Sequence, residues 1–580
     1  MYEIPKISSK QDAYEWLDAV QKSRWLHPLL LLIWLAIGTG LRLTNLAAKP
    51  LWNDEFSTIV FSLGNSFLTV PLEQVISLDT LLLPLQPNPQ AGIGTVIHNL
   101  MTDNHPPIYF VLNHLWMRLF PTEDGMISFY AARSLPAILG AASIPAIFGL
   151  GWVAFRSRLV AQMAAAMMAV SPFGIYLAQE ARHYTLATLL AIASLYCLVT
   201  ATRTFQERIP LPIWVGLIWV GVNSLGIAIH YLFILALCTE ALVLVGFWIW
   251  EWVVNRQLDS YWRQIYLVAA GTTMGGLVWL PFWQRVSQNE LTEWIYDGHA
   301  FSSHLVTISR VPAWMLTMLS LLPVEGTSGL IRLVSSTVLV IYFIWLLPIL
   351  MRGVTILLKQ PSTRRAIQTL GGVILAAIAL FFGITYSLGA DLTLAARYHF
   401  VYFPAFIVSI AAAIAHSWYI STASSQPSLL PNLTSGKKVA IVVWLMGLVG
   451  GLTVVSNFGY QKPDRPDLLV PIIQSSQAPV LISMSHQTHE QTGKLMGLAL
   501  EFKRTAKGIP NPQFLLAHLE SDSITSIETI QKTLTQFPRP LDFWMVNFPA
   551  SAEPKVQSCV ADSKYKSKVK GYRYRLYHCL

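Results

Sequence analysis

Two adjacent carboxylates, Asp54 and Glu55, follow the first apolar segment of a chain that contains few charges. They belong to the stretch WNDEF, residues 52–56. Only 12% of the residues are charged, whereas 53% are hydrophobic. Paired carboxylates in such a place can act as a general base or as metal ligands. The structural alternative is that both acids only stabilise the start of a helix through its dipole.

Further ionisable and aromatic residues recur at the ends of later apolar segments. Charged groups at a membrane cost free energy, so they indicate a functional site. The segments that contain them are DNHPPIYF, QEARHY, AIHYLF and ADLTLAARYHF. The candidate site residues in these segments are His105, Glu180, Arg182, Tyr184, His230, Arg397 and Tyr398.

Long apolar segments must position these residues, and several approach or exceed the roughly 17–25 residues that cross a bilayer as a helix. The first follows a polar start without a small-residue cleavage site, so we interpret it as a retained span. The sequence predicts an α-helical polytopic membrane protein, integral to the cell membrane and surrounded by its lipids. Its eleven predicted spans lie near 26–45, 132–154, 159–175, 184–202, 212–230, 231–250, 264–281, 330–351, 367–387, 399–417 and 439–457.

The distribution of basic residues predicts the orientation of these spans. With segment 1–25 in the cytoplasm, every predicted inner loop contains Lys or Arg, as the positive-inside rule requires. The formal net charge of +9 then reflects these loops. No nucleic-acid motif is present, so nucleic acid is not an expected partner. Segments 106–120 and 311–323 are short, and we predict that they lie in the interface as amphipathic helices.

Residues 458–580 are less apolar and predict a small extracytoplasmic α/β domain after a transmembrane domain at 26–457. Cys559 and Cys579 are its only plausible disulfide pair, with two free thiols as the alternative. The stretch HQTHE at 486–490 lacks zinc-protease spacing, so we predict a solvated loop. The patterns predict strands at 479–485, 541–548 and 572–579, and helices at 469–475 and 492–504.

The ordered motifs resemble those of the C-type (GT-C) polytopic membrane glycosyltransferases. Within that group they are most similar to the branch of the protein O-mannosyltransferases and the aminoarabinose transferase of lipid A. The resemblance covers about residues 26–410. It rests on the Asp-Glu pair after the first span, the His-Pro-Pro segment, the QEARHY loop and a late Arg-Tyr. The aminoarabinose branch has an Asp in the second outer loop, where Glu180 is the nearest acid here.

The resemblance implies a polyprenyl-phosphate sugar as donor and a protein, lipid or glycan as acceptor, with the active site on the extracytoplasmic side. It implies a single displacement that inverts the anomeric carbon. Asp54 is then our choice for the base, and Glu55 orients its partners. Arg182 and Arg397 are candidates for the donor phosphate.

Several alternatives stay open at this point. His105 is a candidate for phosphate or metal contact, and a divalent metal ion at Asp54, Glu55 and Glu180 is a further hypothesis. Glu180 could instead bind the acceptor or form a salt bridge with Arg182. The alternative function is a polytopic lipid or sugar transporter or flippase. No P-loop or dinucleotide fingerprint is present, which agrees with a membrane-borne donor.

Overall fold

The computed structural model describes residues 25–101, 103, 105–255, 261–280, 295–296, 304–420, 436–505, 512–518, 524–549 and 559–580. Within those ranges, seven helices are long and apolar enough to cross a membrane, and a bent pair makes an eighth span if counted as one. The predicted class, a helical membrane protein with a C-terminal α/β region, is confirmed. The helices at the eleven predicted spans are Leu26–Leu43, Phe129–Phe155, Arg158–Val170 with Pro172–Ala178, Tyr184–Glu207, Ile213–Ile229, Phe233–Asn255, Trp262–Leu277, Gly329–Lys359, Pro361–Leu388, Phe403–Ile420 and Gly436–Val455.

The third predicted span breaks at Pro172, where two helices meet at 55°. Proline has no N–H, so it cannot continue the helical hydrogen-bond pattern. The carbonyl groups of Met168 and Ala169 accept hydrogen bonds from the Arg42 guanidinium instead, at 2.9 and 3.0 Å. Arg42 is fully buried. The end of the first helix is therefore fixed against the break in the third.

Shorter helices cover one end of the bundle. Both segments predicted to lie in the interface contain helix, at Ile108–Met117 and His304–Leu319. Helix Asn53–Ser62 begins with Asp54 and Glu55 in its first turn, the position where acids stabilise a helix dipole. The remaining short helices before the second span are Phe67–Thr69, Leu78–Leu82, Leu83–Leu85 and Ile93–Leu100.

A six-stranded mixed sheet forms the C-terminal region, and one of its strands comes from the first loop. The sheet order is β1-β5-β4-β6-β8-β7, and β2 and β3 form a separate hairpin. The strands are β1 Val75–Ile76, β2 Thr122–Glu123, β3 Met126–Ile127, β4 Val480–His486, β5 Gln513–His518, β6 Leu541–Val546, β7 Cys559–Val569 and β8 Tyr572–Cys579. Because β1 pairs with β5, the first loop and the C-terminal residues lie on the same side of the bundle.

Three helices, Pro466–Ile473, His489–Thr505 and Ile524–Gln536, accompany this sheet. The predicted C-terminal strands and helices are therefore present, and Cys559 and Cys579 are joined in a disulfide. Helix His489–Thr505 packs tightly against helix Asn53–Ser62, because a Cβ at Gly493 would overlap the Asn53 side chain. The division at 457/458 remains a prediction, and β1 and this contact both cross it.

Candidate active site

A cavity of about 430 Å³ lies where the helical bundle meets the C-terminal region. Its walls come mainly from segments at the ends of the membrane helices, which is why its residues are scattered in the sequence. Seven of the nine predicted site residues line it, and Glu55 and Glu180 do not. The seven are Asp54, His105, Arg182, Tyr184, His230, Arg397 and Tyr398.

Two arginines converge on one oxygen of Asp54. The nearest guanidinium nitrogens of Arg182 and Arg397 each lie 3.6 Å from Asp54 Oδ2, and the Asp54 side chain is 24% exposed. Those distances exceed a normal hydrogen bond, so an anionic ligand can compete for the same cations. Burial is the largest single influence and disfavours the charged form of both arginines, but Asp54 and the neighbouring tyrosines together raise the pKa of each.

His105 holds Arg182 in place. His105 Nε2 lies 2.8 Å from a terminal nitrogen of Arg182, and Nδ1 lies 3.2 Å from Asp103 Oδ1. A guanidinium can only donate, so Nε2 accepts, and the remaining ring proton is on Nδ1 and points to Asp103. Arg182 also donates to the Asp54 carbonyl and to Thr58 Oγ1, both at 2.9 Å. The lone pair of His105 Nε2 therefore already accepts a hydrogen bond from Arg182 and is not available to a metal ion or to a phosphate proton.

Aromatic rings pack around the two guanidinium groups. Arg397 lies 5.0 Å from the centre of the Trp52 ring and 5.4 Å from that of Tyr398. Arg182 lies 6.0 Å from the Tyr184 ring. Such cation–π contacts hold a cation without neutralising it. The predicted tyrosines therefore restrict the orientation of the arginines and leave their charge available.

His230 packs edge-to-face against His183, a residue that the sequence analysis did not select. Their ring centres are 4.3 Å apart. Burial lowers the pKa of both imidazoles well below the ordinary value, and nearby cations add to the effect. The Nδ1 atom of His230 accepts a hydrogen bond from the Leu232 amide at 3.2 Å. The His230 ring therefore lines the cavity, and His183 supports it from behind.

Glu55 lies behind the cavity in what we call the buried ion cluster, formed by Glu55, Arg133, Glu180 and Lys462. The Arg133 guanidinium donates to both carboxylate oxygens of Glu55, at 2.7 and 2.8 Å, and the Ala181 amide donates at 2.8 Å. Burial alone would raise the pKa of Glu55, but Arg133 and Lys462 outweigh it and lower the pKa to about 2. Glu55 therefore remains ionised and anchors its helix.

Glu180 belongs to the same cluster and does not form the salt bridge with Arg182 that we considered. Its Oε1 accepts from Lys462 Nζ at 2.7 Å, and the same ammonium lies 3.2 Å from Glu55 Oε2. Burial raises the pKa of Glu180, and Lys462 opposes this effect. Two carboxylates thus share one ammonium, which joins the end of the last span to the second outer loop.

The residues of the hypothetical metal site do not fit a divalent ion. Glu55 and Glu180 are both committed to Lys462, and Glu55 is also committed to Arg133. Asp54 faces the cavity and contacts arginines. Across the described ranges, no group of three or more His, Cys, Asp or Glu residues could hold a metal ion.

The prediction of a solvated loop at 486–490 is wrong. The first of these residues ends β4, and His489 begins helix His489–Thr505. The His489 ring stacks on Phe67 at 5.2 Å, and both His489 and Glu490 line the cavity. The polar stretch 486–490 does not by itself predict this packing, because the partner ring, Phe67, comes from the first loop.

The C-terminal region contributes further cavity residues that the sequence analysis did not identify. Asp464 and Lys494 line the cavity beside His489. Burial raises the pKa of Asp464 to about 6, although Lys494 opposes the change. The charged segment QKPDRPD, which begins at Gln461 directly after the last span, was a usable signal for Asp464 and for Lys462.

Solved structures of two other proteins are similar to this chain over most of its length. No family model matches the sequence, and no curated protein matches it. ArnT from Cupriavidus metallidurans is 12% identical and covers 97% of this chain and 98% of its own; the TM-score is 0.48 in the apo state and 0.49 with undecaprenyl phosphate bound. The apo Archaeoglobus fulgidus oligosaccharyltransferase is 14% identical over 82% of this chain and 64% of its own, with a TM-score of 0.47. Both are GT-C enzymes, as the motif resemblance implies.

Proposed function

We propose that this chain is a membrane glycosyltransferase that moves a sugar from a polyprenyl-phosphate donor to an acceptor nucleophile. The observation that carries the proposal is the convergence of Arg182 and Arg397 on Asp54 in one cavity. Displacement of phosphate from a sugar needs a base for the incoming nucleophile and cations for the departing oxygens. These three side chains supply both requirements.

The geometry also supports an order of events. Before the donor binds, the two arginines compensate the charge of Asp54. A donor phosphate competes for the guanidinium groups, because they bind phosphate through paired hydrogen bonds. Asp54 then loses part of its ionic contact with the two arginines and is free to accept the proton of the acceptor. Donor binding therefore converts an ion-paired carboxylate into a usable base.

In the chemical step, Asp54 takes the proton of the acceptor while the nucleophile attacks the anomeric carbon. The bond from that carbon to the phosphate oxygen breaks, and its electron pair leaves with the phosphate. Arg182 and Arg397 neutralise the charge that develops there. We propose a single displacement, so the configuration at the anomeric carbon inverts. The acceptor is a protein, a lipid or a glycan.

We propose that this reaction takes place on the extracytoplasmic side. The cavity lies at the helix ends opposite the basic loops, which the positive-inside rule assigns to the cytoplasm. A donor with its prenyl chain in the bilayer must present its phosphate at headgroup depth, close to where helix Leu26–Leu43 ends. A cavity at the bundle end fits a surface transferase better than a transporter, whose site is expected near the midplane.

The test is donor turnover by the full chain reconstituted in liposomes. Polyprenyl phosphates that carry different hexoses and pentoses are supplied together with a membrane extract as the source of acceptors. We expect free polyprenyl phosphate to be released from one of these donors, and the product to have the inverted anomeric configuration by NMR. Soluble nucleotide sugars serve as the control and should not be used. Movement of an intact donor between leaflets without release would identify a flippase and refute the proposal.

A further inference from the structure

A second cavity, of about 840 Å³, lies on the C-terminal sheet next to the candidate active site, and we call it the basic groove. Its wall contains Lys494, Lys568, Lys570 and Arg573, and among the described residues that line it none is Asp or Glu. Lys494 also lines the candidate active site, so the two cavities share part of a wall. A groove of one charge sign raises the local concentration of the opposite ion.

The hairpin of β7 and β8 supplies most of this charge. Residues 559–580 contain six lysines and arginines and one aspartate. A smaller cavity of about 310 Å³ adjoins the groove, shares Lys568 and Arg573, and adds Lys566 and Arg575. Lys570 lies 3.3 Å from Glu325, whereas the described residues give the side chains of Lys568 and Arg573 no ionic partner. These two cations are therefore the ones most available to a ligand.

The hairpin is attached firmly to the wall of the candidate active site. Gly571, at the turn, has φ +88°, and a Cβ there would lie 2.6 Å from Asp464 Oδ1. The Tyr572 hydroxyl donates to the Lys494 carbonyl at 3.0 Å, and the disulfide closes the other end of the hairpin. Asp464 and Lys494 both line the candidate active site. The cations are thus held at a fixed position relative to Asp54.

We propose that the basic groove binds an anionic glycan and that this glycan is the acceptor of the transferred sugar. The acceptor assignment rests on the proposed function, whereas the binding site does not. Besides its cations, the groove presents the side chains of Ser485, Gln487, Gln491 and Asn547. Hydroxyl and amide groups match the hydroxyl groups of sugars. Few apolar side chains are available for acyl chains, so a polysaccharide with carboxylate or phosphate groups fits better than a lipid.

The experiment measures binding of a fluorescent oligogalacturonate, which has a carboxylate on each sugar, to the full chain in detergent. The groove variant is Lys568→Gln with Arg573→Gln. The matched control, Lys532→Gln with Lys564→Gln, removes the same charge from exposed positions that do not line the groove. We expect the wild type to bind and the groove variant to lose about tenfold or more in affinity, because two of the four cations that together attract the ligand to the groove are removed. The control should remain within about twofold of the wild type.

The inference is overturned if the groove and control variants bind the oligogalacturonate with equal affinity. It is also overturned if the wild type binds the neutral methyl ester, poly-glutamate or phosphatidylglycerol vesicles as tightly as it binds the oligogalacturonate. Asp54→Asn should bind the oligomer as tightly as the wild type. If binding follows the groove cations but no donor turnover is found for any sugar, the glycan site stands and the acceptor assignment fails with the proposed function. If the wild type turns over a donor but does not bind the oligomer, the inference fails while the proposed function stands.

Discussion

Asp54 and Glu55 are neighbours in the sequence, but their surroundings differ completely. Asp54 faces the cavity and contacts two arginines at 3.6 Å. Glu55 is fully buried and accepts three hydrogen bonds of 2.7 to 2.8 Å from Arg133 and the Ala181 amide. Loosely held charge can exchange partners during a reaction, whereas tightly held charge cannot. The comparison therefore supports the proposal that Asp54 serves the chemistry, whereas Glu55 serves the structure.

The two clusters also differ in how their charges are compensated. In the buried ion cluster, Arg133 and Lys462 are fully enclosed, and removing any member would leave a buried charge without its partner. At Asp54 the two arginines outnumber the acid that they contact, whereas the cavity wall as a whole also contains Asp103, Asp464 and Glu490. The buried ion cluster is therefore expected to keep its contacts, whereas Asp54 and its two arginines can exchange partners with a ligand.

The largest effect is expected at the exposed acid. Asp54→Asn keeps the shape of the side chain but cannot accept a proton, so sugar transfer should fall at least roughly a hundredfold, within the 10²–10⁴ range for loss of a general base. Expression and folding should be retained, because the Asp54 side chain is 24% exposed and its ionic contacts are as long as 3.6 Å. The measurement is transfer from a polyprenyl-phosphate donor in proteoliposomes. Near-normal transfer would remove the base from this residue.

The buried acid should behave in the opposite way. Glu55→Gln leaves Arg133 and Lys462 undercompensated, which should cost about 3–5 kcal/mol of stability, while transfer per folded molecule falls less than in Asp54→Asn. The pKa of Glu55 is lowered to about 2, so its contribution is present above the unfolded pKa of about 4.5 and is lost as the pH falls towards 2.

Thermal unfolding in detergent at several pH values measures this contribution. The difference in stability between wild type and Glu55→Gln should be largest near neutral pH and should shrink between about pH 4.5 and pH 2. Glu490→Gln, which removes a part-exposed ion pair with Lys494, is the matched control and should cost little. A Glu55→Gln protein that is as stable as the wild type but inactive would reverse the two roles.

A smaller effect is expected at Arg397. Arg397→Ala should raise the apparent KM for the donor about tenfold or more, because a charged hydrogen bond contributes about 1.5–3 kcal/mol. Arg397→Lys should restore little of this, since an ammonium lacks the planar fork of donors. Arg310→Ala, at a nearby ion pair with Asp391 outside the cavity, controls for loss of a neighbouring charge. An unchanged donor KM in Arg397→Ala would refute the phosphate role.

Sequence patterns located the acids and arginines of the cavity because each lies in a short polar segment between long apolar ones. The positions of the spans follow from the same contrast between apolar and polar stretches. Which of Asp54 and Glu55 faces the cavity could not be predicted, because consecutive residues of a helix point about 100° apart, and only the packed structure shows which direction is buried. The break at Pro172 was also missed, since its carbonyl partners are provided by Arg42 from another helix.

Some residues of the site are far in the sequence from those that they contact, and no local pattern could predict these contacts. Lys462 lies 282 residues after Glu180, which it contacts at 2.7 Å. Strand β1 is only two residues long, and its pairing with β5 joins parts of the chain that are far apart in sequence. Short patterns report on local structure, whereas contacts of this kind depend on the closed fold.

The position of Lys462 has a consequence for the synthesis of this protein. A nascent chain inserts helix Leu26–Leu43 and presents Glu55 long before the ribosome reaches the last span, Gly436–Val455. Until residue 462 has been synthesised, Arg133 is the only cation of the buried ion cluster that is present. The ionic contacts of Lys462 with Glu55 and Glu180 can therefore form only late in synthesis, after the last span has been made.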